Sequence, residues 1–380
     1  MMTDYRLQLF ENENSSKDMK KLLLGLLAFG MMACHQVKEG TLDIVKIDVN
    51  SSDYLKDEAV FKDFDFVKLD TISEALLSDV SKVLVGENRL YVLPVMDPRV
   101  FIFTKEGKYV NSLRMGQGPG EVRCVYDMKY HDGNLYAFDN FRTIRKYDKD
   151  GKYIEDVYTR NNFNLLMEFE QDQLLLFEPY MSPGQEQLMT VVTKDTILSH
   201  FPKHKGNESP FFFNLFYSDG HISWPMCDTI YHYDAEKLMP APKYVVQFNH
   251  LNVYDAMKNE TITPERWNEI VSDEHYCKWI HAVRVHDSQL FFGFKYDKPY
   301  YVKHSADGTK IYSTLIKGLP DLKTGAKGID GKRMIYSFNM EDLMEHKEEM
   351  NEIPEGKLRN LYDQVTDVED NPILVFATLE

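Results

Sequence analysis

The segment Glu87-Asn88-Arg89-Leu90-Tyr91-Val92, followed by Val100-Phe101-Ile102-Phe103 and Lys105-Glu106-Gly107-Lys108-Tyr109-Val110, decides the fold because it is written twice. The second copy is Asp132-Gly133-Asn134-Leu135-Tyr136-Ala137, then Thr143-Ile144-Arg145-Lys146-Tyr147, then Lys149-Asp150-Gly151-Lys152-Tyr153-Ile154. The two Leu-Tyr pairs lie 45 residues apart and the two Gly-Lys-Tyr glycines lie 44 apart. The copies therefore differ by one residue of loop.

A period in the mid-forties that holds a strand, a turn and another strand is typical of a β-propeller blade. The repeat weakens after the second copy but keeps its spacing, with steps of 45, 39, 48, 68 and 45 residues counted from Leu90. The later anchors are Gln173-Leu174-Leu175-Leu176, Gly220-His221-Ile222-Ser223-Trp224, Ser288-Gln289-Leu290-Phe291-Phe292 and Arg333-Met334-Ile335-Tyr336. Six anchors predict an all-β fold, a six-bladed β-propeller with short helical insertions, over residues 59–380.

Helical insertions are predicted at three places between the anchors. Thr263-Pro264 opens the clearest helix, because Thr caps helices and Pro is favoured at the first helical position. Residues 340–350 and 356–365 are the other two. Residues 61–69 alternate in part like a strand. Because an open sheet edge invites aggregation, we expect one blade to join a strand near Phe64 to the strand at Ile373.

Residues 19–34 have the layout of a bacterial secretory signal. Lys20-Lys21 is positive, residues 22–30 are apolar but too short for a span of about 20 residues, and Ala33-Cys34 resembles a lipobox. We therefore expect a lipoprotein signal peptide over residues 19–33, diacylation of Cys34, a non-native N-terminal extension over residues 1–18 and a tether over residues 34–58. Two acyl chains anchor a protein stably to a membrane. The alternative is an uncleaved anchor or a buried helix over residues 22–32.

Composition excludes several classes of function. The chain has 44 basic and 60 acidic residues, a net charge of −16, which argues against a nucleic-acid partner. Cys124, Cys227 and Cys277 show no Cys-x-x-Cys spacing, which argues against zinc and a disulfide framework, although one pair could bridge. The twelve histidines are scattered and no Gly-x-Ser-x-Gly occurs. We predict no metal and no cofactor.

The segment Gly116-Gln117-Gly118-Pro119-Gly120-Glu121 has the glycines of a phosphate-binding loop. A P-loop, however, needs Gly-Lys-Ser/Thr leading into a helix, and the residues that follow Glu121 indicate a strand. We predict a tight turn between blades.

Together with the signal and the repeated units, this segment and the terminal Asp370-Asn371-Pro372-Ile373-Leu374-Val375 resemble the six-bladed β-propeller lipoproteins of Bacteroidetes, relatives of the NHL-type propellers. The resemblance spans about residues 65–379 and implies a six-bladed ring on the cell envelope. The resemblance implies no catalytic residues for this chain. NHL-type units often place an Asp after the inner strand, a place that Asp139 fits and that Pro94 or Val95 takes in the first copy.

The residues predicted to bind a ligand lie near strand ends or turns, where propellers usually meet their ligands. They are Arg99, Arg114, Arg123, Asp139, Arg142 and Trp224. We predict a lipoprotein of the cell envelope, anchored at the outer membrane on its periplasmic or surface side, that binds a glycan, a peptide or a partner protein. The alternative is an envelope glycan hydrolase or lyase with carboxylates at the channel mouth. The oligomeric state is left open.

Overall fold

The structure, a computed structural model, describes residues 42–140, 142–159, 166–170, 173–177, 187–192, 197–202, 216–218, 220–223, 227–259, 263–321, 325–350 and 352–379. Nearly all of its regular structure is β. Three strands come first along the chain: β1 (Asp43–Ile47), β2 (Tyr54–Phe61) and β3 (Phe64–Lys68). Each of these three is later joined by strands from much further along the sequence.

Three four-stranded antiparallel sheets follow, each built from consecutive strands. Sheet I holds β4 (Val80–Val85), β5 (Arg89–Pro94), β6 (Phe101–Thr104) and β7 (Tyr109–Ser112). Sheet II holds β8 (Val125–His131), β9 (Asn134–Asp139), β10 (Thr143–Tyr147) and β11 (Tyr153–Thr159). Sheet III holds β12 (Leu166–Glu170), β13 (Gln173–Phe177), β14 (Gln187–Val192) and β15 (Ile197–Pro202).

Three further sheets each include one of the three N-terminal strands. Sheet IV holds β16 (Phe216–Ser218), β17 (His221–Ser223), β18 (Thr229–Asp234), β19 (Met239–Phe248) and β1. Sheet V holds β20 (Lys278–His286), β21 (Gln289–Lys295), β22 (Pro299–Ser305), β23 (Gly308–Ile316) and β2. Sheet VI holds β24 (Gly328–Asp330), β25 (Arg333–Phe338), β26 (Ile373–Thr378) and β3.

Within the described ranges, four short helices lie in the connections: α1 (Val253–Asn259), α2 (Pro264–Ser272), α3 (Met340–Glu349) and α4 (Lys357–Tyr362). The three predicted helical insertions correspond to α2, α3 and α4, and α1 was not predicted. Thr263 caps α2 as expected, since its side-chain oxygen accepts a hydrogen bond from the backbone N–H of Arg266 at 3.2 Å. Among the described residues, no helix is both long enough and apolar enough to span a membrane.

The six sequence anchors fall on β5, β9, β13, β17, β21 and β25, the second strand of each sheet. These strands are hydrogen-bonded on both edges and buried on both faces for most of their length, which explains why they carry the strongest apolar signal. In β5, for example, every residue after Arg89 is buried. The prediction of an all-β propeller built from repeats of this kind is confirmed.

The N-terminal strands change the predicted boundaries. Residues 34–58 were expected to be a tether, but β1 and most of β2 lie within that range. The predicted strand over residues 61–69 is also divided, since β2 ends at Phe61 and β3 begins at Phe64. β1 pairs parallel with β19 and β2 pairs parallel with β23. Both strands therefore cover outer sheet edges that would otherwise be open.

The chain closes as predicted near its two ends. β26 lies between β25 and β3, and Ile373 pairs with Lys68 at one end of an antiparallel ladder in which Ala377 pairs with Phe64 at the other. Sheet VI thus needs both ends of the folded chain. Sheets V and VI pack through aromatic side chains: the ring centroid of Phe61 lies 5.6 Å from that of Phe291 within sheet V and 5.9 Å from that of Tyr336 in sheet VI.

Candidate functional site

A cavity of about 490 Å³ lies where the first strands of the six sheets approach one another. Residues of β4, β8, β12, β16, β20 and β24 all line it. The first strand of sheet I contacts the first strands of sheets II and VI, and that of sheet II contacts that of sheet III. A cavity enclosed by the inner strands of every sheet is the central channel of a propeller. Its volume is within the range of small-molecule sites.

One wall of the channel is built around the buried carboxylate of Asp127. This residue on β8 forms an ion pair with Lys82 of β4, and only 1% of its side chain is exposed. Its Oδ1 also accepts the backbone N–H of Met128 at 2.9 Å, while Oδ2 accepts that of Met167 on β12 at 2.8 Å. Asp127 therefore ties sheets I, II and III together at the channel. Both oxygens of this carboxylate are therefore held in place beside the Lys82 ammonium.

The same wall continues through two more contacts between sheets. Lys129 lies two residues after Asp127 on the same strand face and forms an ion pair with Glu168 of β12. Two residues further along β12, the carboxylate of Glu170 accepts a hydrogen bond from the Tyr217 hydroxyl of β16. A polar network thus runs across sheets I to IV. It presents fixed ammonium, carboxylate and hydroxyl groups to the cavity.

The two channel lysines differ in their acidity. Removal from water lowers the pKa of Lys82 below its ordinary value, and the nearby charge of Lys129 adds to that effect while Asp127 opposes it. For Lys129, removal from water also acts to lower the pKa, but the carboxylates of Glu168 and Asp127 outweigh it and leave the pKa raised. Lys129 is therefore held firmly as a cation. Lys82 is the weaker base of the two.

The opposite wall is irregular and mostly apolar, although Lys327 also lines it. Ala282, Val283, Ile329 and Met334 line it. Strand β20 shifts register against β21 on either side of His281, and Ala282 has a φ of 51°. Left-handed backbone in a residue other than Gly costs free energy and is concentrated at functional sites. The bulged strand turns small apolar side chains towards the cavity.

Sheets I and VI meet closely at this wall. The backbone N–H of Val83 donates to the carbonyl oxygen of Lys327 at 2.7 Å. A Cβ atom at position 328 would lie 2.0 Å from the carbonyl oxygen of Val83, so Gly328 is required for the approach. Burial lowers the pKa of the adjacent Lys327, which lines the cavity.

Ser218 is a polar group in this site whose hydrogen-bonding capacity is unused. It lies on β16, is 6% exposed and lines the cavity. Its Oγ has no hydrogen-bond partner among the residues that the structure describes. A buried hydroxyl without a partner costs roughly 1–3 kcal/mol. The Oγ atom itself is inaccessible from the cavity, so a ligand would meet the paired groups of the polar wall and not this hydroxyl.

The four predicted arginines lie at one end of sheets I and II, outside the channel. Alternate connections of an antiparallel sheet share an end, and Arg99, Arg114, Arg123 and Arg142 all lie in such connections. Arg99 is paired with Asp97, with an Nη2–Oδ2 distance of 2.6 Å. The other three side chains are exposed. The structure therefore brings the arginines to one rim and not into the cavity.

Asp139 is 1% exposed and lies among donors of its own sheet. Its Oδ1 accepts the backbone N–H groups of Arg123 at 2.7 Å and Cys124 at 2.8 Å, and its Oδ2 accepts the guanidinium of Arg145. These contacts fix the loop that enters β8. Two other predicted site residues, Trp224 and the lipid-attachment residue Cys34, lie outside the described residues.

The segment from Gly116 to Glu121 is a turn between sheets I and II, as predicted. The Glu121 carboxylate folds back and accepts the backbone N–H of Gly118 at 2.9 Å. A Cβ atom at position 116 would lie 1.9 Å from Glu121 Oε2. The Glu121 carboxylate thus already occupies the space beside Gly116 and Gly118.

The described cysteines and acidic clusters suggest no other reactive centre. Cys124, Cys227 and Cys277 are free thiols, and burial raises the pKa of both Cys227 and Cys277 to about 12. Thiols of that kind stay protonated and are poor nucleophiles. Within the part of the chain that the structure describes, no group of three or more His, Cys, Asp or Glu side chains could hold a metal ion.

The channel network was not predicted from the sequence, although the repeat contains a signal for it. Lys82 and Asp127 each lie eight residues before the Leu of their anchors, and Lys129 and Glu168 each lie six residues before theirs. The paired residues are separated by 45 and 39 positions, the same as the first two repeat steps. Opposite charges at equivalent positions of successive repeats would have predicted both ion pairs.

Comparison with known proteins gives a family and a fold. A family model described as "Domain of unknown function (DUF4934)" matches residues 40–378. No curated protein matches the sequence. The structure is similar to that of a "Putative exported protein" from Bacteroides fragilis NCTC 9343, with a TM-score of 0.72 and 17% identity over 90% of this chain and 100% of that chain.

Two other solved structures are less similar. One is a streptogramin B lyase, with a TM-score of 0.40 and 11% identity over 73% of this chain and 82% of that chain. The other is apo AztD from Citrobacter koseri, with a TM-score of 0.36 and 6% identity over 67% of each chain. Scores this low support no inference about function.

Proposed function

This chain belongs to the DUF4934 family, and we propose that it is a cell-envelope lipoprotein whose propeller binds a small ligand in its central channel. The observation that carries the proposal is the polar network from Lys82 to Tyr217 on one wall of a cavity whose other wall is mostly apolar. Ligand sites combine apolar walls with a few fixed polar groups in this way.

The channel groups suit binding better than acid–base catalysis. A glycan hydrolase needs one carboxyl that gives up a proton and a second that acts as a base or nucleophile. Asp127 and Glu168 are each paired with a lysine, and Glu170 accepts the Tyr217 hydroxyl. All three carboxylates are therefore held as acceptors. Fixed acceptors of this kind orient a ligand without reacting with it.

We also infer that the six sheets are the six blades of one ring, as in the NHL-related lipoproteins that the sequence resembles. Support comes from the coincidence of the six anchors with the second strands of six different sheets. The participation of six inner strands in one cavity points the same way.

The envelope location rests on the sequence. The positive and apolar segments before Cys34 have the form of a lipoprotein signal, and the similar Bacteroides fragilis protein is named as exported. We propose attachment to the outer membrane through diacylated Cys34. Mass spectrometry of the membrane-extracted protein should detect a diacylated N-terminal peptide that begins at Cys34, and an intact peptide from Met1 would contradict the proposal.

The proposed binding in the channel can be tested by placing a bulky side chain in the cavity. Ala326 lines the cavity, whereas Ala306 is exposed in the turn between β22 and β23. The full chain should be titrated calorimetrically with pools of neutral oligosaccharides, acidic oligosaccharides and dipeptides. We expect at least one pool to bind, Ala326→Trp to weaken that binding by at least about tenfold, or 1.4 kcal/mol, and Ala306→Trp to leave it unchanged.

Circular dichroism spectra matching that of the unsubstituted protein would show that both variants fold. Equal affinity in the Ala326→Trp and Ala306→Trp variants, or the absence of binding from all three pools, would overturn the proposal.

A further inference from the structure

Most of the charges that line the channel are neutralised within the protein. Lys82 is paired with Asp127, and Lys129 is paired with Glu168. A ligand that bound to any of these four groups in place of its partner would have to separate an existing ion pair, and removing one partner of a buried pair is strongly destabilising. These four groups therefore do not determine the charge that a ligand should carry.

Two charged groups of the lining have no ion-pair partner among the described residues. One is the Lys327 ammonium, and the other is the Glu170 carboxylate, which accepts the Tyr217 hydroxyl. Both charged side chains are partly buried. Because a carboxylate has about four acceptor sites, Glu170 keeps capacity for a cation beside Tyr217. The cavity thus offers one positive and one negative group for pairing with a ligand.

Lys327 and Glu170 lie on different walls of this cavity of about 490 Å³. Lys327 directly precedes β24 of sheet VI, whereas Glu170 ends β12 of sheet III. The first strands of sheets VI, I, II and III contact one another in that order, so the two side chains lie three sheets apart. A ligand that reaches both must carry its two opposite charges at separate positions.

The main chain at Lys327 is held on both sides. Its N–H donates to the carbonyl oxygen of Ile335, and its carbonyl oxygen accepts the N–H of Val83, each at 2.7 Å. Burial lowers the pKa of the Lys327 side chain, and the charge of the exposed Asp79 carboxylate acts against that effect. An anionic group of a ligand beside the ammonium would stabilise its charged form further.

Resting on the channel site proposed above, we infer that the ligand is a small zwitterion, with an ammonium that Glu170 binds and a carboxylate that Lys327 binds. Free amino acids and short peptides have this chemistry. An uncharged ligand would leave both groups without a counter-charge, and an anion would leave Glu170 without one. Burying an unpaired charge in either way is costly.

The test compares one dipeptide with its two blocked forms. The full chain should be titrated calorimetrically with alanylalanine, with N-acetyl-alanylalanine, which lacks the ammonium, and with alanylalanine amide, which lacks the carboxylate. Maltose is the uncharged probe. We expect alanylalanine to bind at least about tenfold more tightly than the other three, because each of them lacks at least one charge pair. Alanine is added as a fifth probe, and equally tight binding of alanine would show that a free amino acid is sufficient.

Two variants assign the charges. Lys327→Met should lower the affinity for alanylalanine to about that for the amide, without weakening amide binding further, since the amide has no carboxylate to lose. Glu170→Gln should likewise lower it to about the affinity for the N-acetyl form. Lys105→Met and Glu106→Gln are matched controls, because both residues are exposed in the turn between β6 and β7 and do not line the cavity. Neither control should change binding.

Circular dichroism spectra matching that of the unsubstituted protein would show that the variants fold. The zwitterion assignment is wrong if maltose or a blocked peptide binds as tightly as alanylalanine, or if Lys327→Met weakens amide and dipeptide binding equally. It is also wrong if an oligosaccharide pool binds while alanylalanine and alanine do not, an outcome in which Ala326→Trp still tests the channel. The proposed channel function fails separately if Ala326→Trp binds every probe as the unsubstituted protein does, or if no probe binds.

Discussion

Asn371 Oδ1 accepts a hydrogen bond from the backbone N–H of Leu77 at 2.7 Å, across the connection where the two ends of the folded chain meet. The same amide donates through Nδ2 to the carbonyl oxygens of Asp70 and Ala75, each at 2.6 Å. Asn371 is fully buried. One side chain just before β26 thereby fixes the segment that leads from β3 of sheet VI to β4 of sheet I.

Replacing Asn371 with Ala should lower the free energy of unfolding by about 2–4 kcal/mol, because three backbone groups lose their partner in a buried place. Asn88→Ala is the control, since Asn88 is exposed in the turn between β4 and β5, and it should change stability by less than about 0.5 kcal/mol. Urea denaturation of both variants measures the difference. Equal stability in the two would show that the Asn371 contacts do not hold the closure.

Gly120 should tolerate substitution less well than Gly133. Both have left-handed backbone, with φ of 75° and 73°. A Cβ atom at position 120 would lie 2.4 Å from Tyr153 Cβ, whereas at position 133 it would meet nothing within 4 Å among the described residues.

Gly133→Ala should therefore lower the free energy of unfolding by about 1–2 kcal/mol, the cost of left-handed backbone in a residue with a Cβ atom. Gly120→Ala should lower it by about 1 kcal/mol or more in addition, because the new Cβ atom overlaps Tyr153 as in an overpacked core. Thermal unfolding of the two variants provides the comparison. A smaller loss for Gly120→Ala would contradict the packing described for this turn.

His281 should make the protein sensitive to acid. Burial lowers the pKa of this side chain from 6.5 to about 4, so the unfolded chain binds the proton more readily than the folded one. The associated stability is fully present above pH 6.5 and is lost as the pH falls towards 4, by about 2–3 kcal/mol.

Urea unfolding at pH 7 and pH 4 measures this loss. His281→Gln should reduce the difference between the two pH values, while His275→Gln should not, because the His275 side chain is 79% exposed. An unchanged pH dependence in His281→Gln would exclude this histidine as the cause.

Breaking the ion pair at the channel should cost more than breaking one at the surface. Lys82→Met leaves the 1%-exposed Asp127 carboxylate without its counter-charge, and we expect a loss of about 3 kcal/mol. The control is Lys237→Met, which removes the ion-pair partner of Asp234 at the surface, where the lysine side chain is 61% exposed; the expected loss is much smaller than that of Lys82→Met.

The double variant Lys82→Met, Asp127→Asn should regain part of the stability lost in Lys82→Met, because no buried charge is then left alone and the amide oxygen still accepts a backbone N–H at this position. Equilibrium unfolding of the single and double variants measures this coupling. A double variant that is less stable than Lys82→Met would contradict the assignment of the loss to an isolated carboxylate.

The repeat was predictable because its signal lies in strands that are buried on both faces. Leu90-Tyr91 and Leu135-Tyr136 mark β5 and β9, and the Thr263 cap located α2. The pairing of β3 with β26 was predicted because an open sheet edge invites aggregation. The parallel strands β1 and β2 were not predicted, since pairing with β19 and β23 joins residues about 200 or more positions apart without any local pattern.

The candidate site was harder to predict than the fold. The loop arginines were predicted as site residues because binding residues are often found on loops, yet Arg99 is paired with Asp97 and Asp139 is enclosed by donors. The channel residues lie on inner strands, whose short sequences weakly alternate. Which of these side chains pair depends on which strands become neighbours when the sheets assemble, and a single repeat does not contain that information.

The most direct measurement is a crystal structure of the full chain grown with the ligand from the three pools that binds most tightly. We predict that this ligand lies in the central channel, against the polar network from Lys82 to Tyr217, with the ion pair between Lys129 and Glu168 intact. A ligand bound instead at the outer rim beside Arg99, with the channel unchanged, would contradict the proposed function.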